Sequence, residues 1–169
     1  MQQTENAGWF YDLLHALEAL PIADSVRTSV IWFPALETIH VLAIVFVLGS
    51  IARVDLRLLG VVSREEPISR VSAEMLPWTW ASFAVALVTG LLLFTAHAVR
   101  YAETIFFDIK MLLLVLIAAN MIYFEMVTYK TVGQWDRAKR PPAGVRFAGA
   151  ASLIMWLGVI TTGRYIGFV

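Results

Sequence analysis

The sequence predicts an all-α fold, an integral membrane four-helix bundle with an N-terminal interfacial amphipathic helix. Hydrophobic residues make up 59% of the 169 residues, charged residues make up 15%, and the mean hydropathy is +0.72. A single soluble core cannot bury so large an apolar fraction, so the chain belongs in a bilayer. Four apolar stretches of membrane-spanning length follow one another, and polar segments separate them.

Residues 1–26 are predicted to form the interfacial helix. Positions 8–20 have a helical period that separates an apolar stripe from a polar side carrying His15. This stretch is too short to cross a bilayer, and Pro21 is expected to end it. Its apolar stripe consists of Trp9, Phe10, Leu13, Leu17 and Leu20.

Residues 27–169 are predicted to form the bundle. Pro34 suits the first turn of the first membrane helix, and Gly60 is expected to cap its end. The last membrane helix carries Gly149, Ser152, Trp156 and Gly163 at near-helical spacing, and small residues of this kind let helices approach closely. The four membrane spans are predicted at residues 35–58, 77–97, 109–128 and 147–168.

The basic residues predict an orientation. Nine of the 13 Lys and Arg residues fall in the segments on one side of the membrane, and four fall on the other side: Arg27, Arg100, Lys110 and Arg164. Because basic residues concentrate on the cytoplasmic side, both termini are expected to be periplasmic in a bacterial inner membrane. The bilayer is then the main partner. Glycine and serine stripes also predict a homo-oligomer or a partner membrane subunit, and the balanced charge gives no sign of nucleic acid binding.

The candidate site centres on His40, which lies one helical turn from Glu37 inside the first span. Ionisable groups in hydrocarbon are costly, so a function is the default hypothesis for them. His97 ends the antiparallel second span at a similar depth, and two imidazoles on facing helices can ligate the iron of haem b. Gly90, with Ala86 beneath it, is expected to leave room for the macrocycle. The cationic partners expected for the haem propionates are Arg100, Lys110 and Arg164.

This pattern predicts a haem-binding protein that acts in electron transfer or anchors a redox complex. The alternative is a non-enzymatic structural or small transport protein in which Glu37, His40 and Arg164 form a buried polar cluster. The sequence assigns no catalytic residue and leaves open whether the protein is an enzyme. The absence of cysteine excludes thiolate metal sites and disulfides, and no HExxH motif or phosphate-binding glycine loop occurs.

Two further polar groups are interpreted as structural. Asp55 lies between Arg53 and Arg57, a pattern typical of an ion-paired helix terminus. Asn120 and Glu125 in the third span are expected to make polar contacts inside the bundle.

Several motifs carry a resemblance to a known family. They are ETIHVLAIVFVLGSIARVDLRLLG, GLLLF, FFDIKMLLL and the terminal WLGVITTGRYIGF. With these the chain resembles an uncharacterised bacterial family of small four-helix inner-membrane proteins, over most residues from about 33 onward. The resemblance implies the four-span fold, and His97 lies outside the polar positions that it marks. Those positions are Glu37, His40, Asp55, Arg57, Lys110 and Arg164.

Overall fold

The computed structural model describes residues 2–168, and within them the regular structure is helical, with no β-strand. Four helices are long and apolar enough to cross a membrane, as predicted: Trp32–Leu58, Ile68–Ala96, Ala143–Ile166 and the helix that begins at Ile105. A π-helical turn, Phe124–Thr128, and a 3-10 turn, Tyr129–Thr131, directly follow the helix Ile105–Tyr123. The helices are α1 (Gln2–Glu18), α2 (Pro21–Thr28), α3 (Trp32–Leu58), α4 (Ile68–Ala96), α5 (Ala98–Ala102), α6 (Ile105–Tyr123), α7 (Val132–Trp135) and α8 (Ala143–Ile166).

The four long helices form an open bundle. α3 packs along both α4 and α8, and α8 packs along α6, whereas within residues 2–168 α4 and α6 share no extensive contact. α4 and α6 meet at one end, where the rings of Phe94 and Phe107 stack with their centroids 5.2 Å apart. We call this end, which carries His40 and His97, the histidine end, and the opposite end, which carries Asp55, the aspartate end. A cleft therefore separates α4 from α6 towards the aspartate end.

The start of α4 differs from the prediction. The helix begins at Ile68 rather than at residue 77, and Pro77 lies inside it. The reason is a distant capping group: the backbone N–H and the hydroxyl of Ser69 donate to the two carboxylate oxygens of Asp136, each at 2.8 Å. Asp136 satisfies donors that a helix start leaves free, and because it lies 67 residues away along the chain, no local pattern around Ser69 reveals it.

The N-terminal segment contains two helices instead of one. Pro21 opens α2 at its first position, where proline is well accommodated, rather than only ending α1. Leu14 of α1 is buried, and the carboxylate of Glu18 accepts a hydrogen bond from the backbone N–H of Val99 at 3.0 Å. These contacts attach α1 to the histidine end. The predicted apolar stripe is largely exposed, with Trp9 at 61%, and its place in the membrane interface stays a prediction; Met1 lies outside the described residues.

Arg57 organises the aspartate end. Its side chain is fully buried, and its guanidinium donates to the carbonyl oxygens of Glu66 at 2.9 Å, Ala138 at 3.2 Å and Asp136 at 3.4 Å. One side chain thus joins the loop after α3 to the loop before α8.

The predicted ion pairing of Asp55 is wrong. Arg57 is occupied by backbone carbonyls, and Arg53 pairs instead with Glu66 at 3.9 Å and with Glu74 at 3.7 Å. None of the ion pairs among residues 2–168 involves Asp55. The predicted cap is confirmed, because Gly60 has a φ of +71° and its N–H donates to the carbonyl of Arg57.

Small residues bring α8 close to α3, as predicted. A Cβ atom built on Gly149 would lie 3.1 Å from the carbonyl oxygen of Asp55. The predicted polar contact of Asn120 is also confirmed, since its side-chain N–H donates to the carbonyl of Ala148 at 3.2 Å.

Candidate functional site

A small cavity of about 130 Å³ lies at the histidine end, and we call it the histidine cavity. Five helices line it, α3, α4, α5, α6 and α8, and its polar side chains come from α3, α5 and α6. The predicted residues Glu37, His40, Gly90 and Lys110 all line it. Tyr101 and Phe33 line it as well, and the sequence did not single them out.

His40 is held in a defined orientation. Its Nδ1 lies 3.0 Å from the hydroxyl oxygen of Thr89. That hydroxyl also lies within hydrogen-bond distance of two backbone carbonyls of its own helix, Val85 at 2.7 Å and Ala86 at 3.2 Å. Contacts with α4 thus hold the ring of His40, an imidazole that can take up and release a proton.

Gly90 accommodates this imidazole and nothing else. A Cβ atom built on Gly90 would lie 2.8 Å from Cε1 of His40. The sequence predicted that Gly90 leaves room for a macrocycle, but the ring of His40 fills that space. The two helices are in direct contact here because α4 has no side chain at this position.

Lys110 enters the cavity from α6. Its ammonium nitrogen lies 3.7 Å from the position that a Cβ atom of Gly163 would take, so a small residue on α8 gives it room. Lys110 is also close enough to His40 for their charges to interact. The cavity thus holds a cation, an imidazole and the carboxylate of Glu37.

Tyr101 supplies a hydroxyl to the same cavity. Burial raises the pKa of Tyr101 above its ordinary value of 10.0, and the charge of Glu37 raises it further, against a lowering by Arg100. The phenol therefore stays protonated at neutral pH and offers a hydrogen-bond donor.

His97 lies at the same end as His40 but does not line the cavity. Its ring packs edge-on against Phe33, with centroids 5.4 Å apart, and against Tyr101, with centroids 6.0 Å apart. Since both of those rings line the cavity, they stand between His97 and the space beside His40. The two histidines that the sequence predicted as ligands thus lie at the same end of the bundle, but only His40 lines the histidine cavity.

The predicted arginines are not gathered around the site. The guanidinium of Arg164 lies 4.6 Å from the ring centroid of Phe168, and among the described residues it forms no ion pair with Glu37. Arg164 therefore does not join Glu37 and His40 in a buried cluster, and Lys110 occupies that place. Arg100 also lies outside the cavity lining.

A haem or metal site is not preformed here. Small-molecule sites usually enclose about 300–1,000 Å³, several times the 130 Å³ of the histidine cavity. In residues 2–168 no group of three or more His, Asp or Glu side chains is placed to hold a metal ion. Ligation by His40 and His97 stays a prediction, and it would require α3 and α4 to separate.

His97 is expected to make the stability of the protein depend on pH. Burial, and then the charges of Arg100 and Arg27, lower the pKa of His97 below its ordinary 6.5, although Glu18 opposes this. The unfolded chain therefore binds more protons than the native one just below pH 6.5, and the free energy of unfolding falls as the pH falls through that window. Thermal unfolding followed between about pH 7.5 and pH 5.5 should show this loss. The loss should be smaller in His97→Gln and unchanged in His15→Gln, and an equal loss in His97→Gln would contradict the assignment.

A second, larger cavity lies at the aspartate end, and the sequence did not predict it. We call it the aspartate cavity; its volume is about 440 Å³, and it occupies the cleft between α4 and α6. Asp55, Trp156 and Glu125 line it together with apolar side chains. Its local signal in the sequence is the carboxylate of Asp55 in an otherwise apolar stretch, a pattern that on its own also fits an ion pair.

Comparison with known proteins places the chain in one family only. A family model described as "Family of unknown function (DUF6644)" matches residues 28–169, which confirms the resemblance seen in the sequence motifs. No curated protein and no solved structure matches the chain.

Proposed function

The chain belongs to DUF6644, a family of unknown function, and we propose that it is a small transport protein of the bacterial inner membrane whose histidine cavity takes up and releases protons. The observation that carries this proposal is the imidazole of His40, which contacts Thr89 of α4 and lines one cavity with Glu37 and Lys110. Titratable side chains inside a membrane bundle typically mark proton or ion paths.

Each group has a role in this proposal. Glu37 is exposed at the mouth of the cavity and collects protons from the surface. The imidazole of His40 accepts a proton, while its hydrogen bond with the hydroxyl of Thr89 fixes the ring. The resulting imidazolium is repelled by the ammonium of Lys110, so the proton is bound reversibly rather than retained.

Proton movement into vesicles tests the proposal. Protein reconstituted into liposomes that contain a pH-sensitive dye should speed the decay of an imposed pH gradient. His40→Ala should slow the decay to the rate of protein-free vesicles because it removes the accepting nitrogen. The matched control is His15→Ala on the exposed side of α1, which should behave as wild type. Equal rates for wild type and His40→Ala would refute the proposal.

Haem binding is a second candidate, because a neutral imidazole such as that of His40 is also what a haem iron would ligate. His97 lies against Phe33, which lines the same cavity, so Phe33 would have to move and α3 and α4 to separate before one haem could reach both histidines. The residues as arranged do not fit a macrocycle, since His40 fills the space over Gly90. If the protein binds haem, cells supplied with haem should yield protein with Soret and alpha bands on reduction, and His40→Ala should lack them. An electron-transfer or anchoring role would lose its basis if wild type showed no such bands.

We propose that the histidine end is periplasmic, because most basic residues lie at the aspartate end. The chain has no cysteine, so single cysteines can report the topology. A membrane-impermeant maleimide should label Ser25→Cys on α2 in spheroplasts, and it should label Gln134→Cys on α7 only after the membrane is opened. Both positions are exposed. The reverse labelling pattern would invert the proposed orientation.

We also propose that α6 faces lipid or a partner subunit. None of its residues is buried within the described chain, although it is strongly apolar. A homo-oligomer or a second membrane subunit would cover part of that surface.

A further inference from the structure

Lys110 lines the histidine cavity without a carboxylate partner. None of the ion pairs among residues 2–168 includes it, although Glu37 lines the same cavity. Lys110 is half-buried in a membrane-spanning helix, where an ammonium group that lacks a counter-charge is costly. An anion bound in the cavity would supply that counter-charge.

The ammonium group of Lys110 borders open space. Its nitrogen lies 3.7 Å from the position of a Cβ atom built on Gly163, and both residues line the cavity. Apart from the chain neighbours of Gly163, no other side chain within residues 2–168 comes within 4 Å of that position. Glu37 at the mouth of the cavity is exposed. A small solute that enters past Glu37 can therefore reach Lys110.

The cavity sets the size and shape of such an anion. Its volume of about 130 Å³ is several times the space that one water molecule needs, yet it is smaller than a usual small-molecule site. Apolar side chains form much of its wall, including Phe33, Leu93, Phe107 and Ile166. A halide ion would leave this apolar wall without contacts. A short-chain carboxylate would instead place its charged end against Lys110 and its alkyl end against the wall.

The charges of the cavity indicate that a proton accompanies the anion. Glu37 and Lys110 carry opposite charges, so they cancel when His40 is neutral. One bound carboxylate then adds a negative charge, and a proton on His40 balances it. Tyr101 also lines the cavity, as a neutral phenol, and the described lining residues from α4 and α8 carry no charged or titratable side chain.

We propose that the histidine cavity binds a short-chain monocarboxylate, such as acetate or propionate, at Lys110, together with a proton on His40. The ammonium of Lys110 donates hydrogen bonds to the carboxylate, and the alkyl group packs against the apolar wall. This site rests on the proposed uptake of protons by His40, and the monocarboxylate is the substrate that moves with the proton. One anion and one proton bind together, so the loaded cavity has the same charge as the empty one.

Propionate binding tests the ligand class. Saturation-transfer difference NMR on the full-length protein in deuterated detergent gives a dissociation constant from a propionate titration, and protein-free micelles are the blank. Propionamide has the same size but no charge, and it should bind about ten-fold or more weakly because it lacks the charge-assisted hydrogen bond. Acetate should displace bound propionate, whereas chloride at the same ionic strength should not.

Two variants test the location of the site. Lys110→Met should weaken propionate binding about ten-fold or more, because it removes the charged donor. Its matched control is Lys130→Met on the exposed turn after α6, which should bind as wild type does. Gly163→Leu fills the space beside the intact ammonium and should abolish saturable binding. Gly144→Leu near the start of the same helix should preserve it, since nothing lies within 4 Å of a Cβ atom built there.

The pH dependence of binding tests the accompanying proton. Propionate stays ionised above about pH 5.5, because carboxyl groups titrate near pH 4. Its affinity for wild type should rise about ten-fold from about pH 7.5 to pH 5.5, since a positive charge gained on a nearby imidazole favours the anion. His40→Gln should abolish this rise because an amide does not titrate in this range, and His97→Gln should keep it.

The proposal fails if wild type binds no propionate saturably, if propionamide binds equally well, or if chloride displaces propionate as readily as acetate does. It also fails if Lys110→Met or Gly163→Leu binds as wild type does, or if the wild-type affinity does not change with pH. Proton movement into vesicles is measured separately. Proton movement without propionate binding would refute the carboxylate site alone. Binding that depends on Lys110 and on pH, without proton movement, would refute the proposed proton transport and leave the binding site standing.

Discussion

Replacing Arg57 with methionine is expected to lower the free energy of unfolding by about 2–4 kcal/mol. The change leaves the carbonyl oxygens of Glu66, Asp136 and Ala138 without their donor in a partly buried position. Each lost bond to a charged donor is worth about 1.5–3 kcal/mol, and water that enters the loops recovers part of that loss. Denaturant titration in mixed micelles, followed by tryptophan fluorescence, measures the effect.

Arg53→Met is the matched control for Arg57→Met. Arg53 lies one turn away on α3, but its side chain is 41% exposed and its ion pairs with Glu66 and Glu74 are long, at 3.9 Å and 3.7 Å. Exposed pairs of this kind contribute about 0–1 kcal/mol. If both methionine variants lost stability equally, the buried guanidinium would not be what joins the two loops.

The role of Arg57 explains why the loops at the aspartate end behave as one unit. Arg57 connects the segment after α3 to the segment before α8, and Asp136 of the latter caps the start of α4 through Ser69. Loss of Arg57 is therefore expected to loosen the N-terminal turns of α4 as well. These turns are also the part of the helix that the sequence failed to predict.

The long helices could be predicted because their signal is local. Runs of apolar residues of membrane length need no tertiary information, and Gly60 fixed the end of α3 through its own backbone preference. The start of α4 depended on Asp136, which is remote in sequence. The contacts of Arg57 could not be predicted either. Its three acceptors are backbone carbonyls, which every residue has, so no residue type at those positions indicates the contact.

The sequence predicted several residues of the candidate site but not how they are arranged. Glu37, His40, Gly90 and Lys110 do line one cavity, because antiparallel helices bring residues of similar depth together. Depth alone does not give rotation about the helix axis, and rotation is what separates Arg164 and His97 from that cavity. The aspartate cavity was missed for a related reason: it results from α4 and α6 standing apart, which no single helix encodes.

Gly90→Leu is expected to disrupt both the packing and the proton site at the histidine end. A Cβ atom at this position already falls 2.8 Å from Cε1 of His40, and the leucine side chain extends further into the ring. The imidazole must leave its bond with Thr89, or α4 must move away from α3. Overpacking of this kind costs about 1–3 kcal/mol, and displacement of His40 should reduce proton movement into vesicles towards the protein-free rate.

Gly49→Leu is the control for Gly90→Leu, because it shows what a leucine does in a membrane helix where it meets no neighbouring side chain. Gly49 lies in the middle of α3, and nothing lies within 4 Å of a Cβ atom built there. Its replacement should change stability by no more than about 0.5 kcal/mol and leave proton movement intact. A Gly90→Leu protein as stable and active as Gly49→Leu would mean that the close contact between His40 and Gly90 is unnecessary. A folded Gly90→Leu protein that had lost only proton movement would instead tie the position of the imidazole directly to that activity, because its stability would then be unaffected.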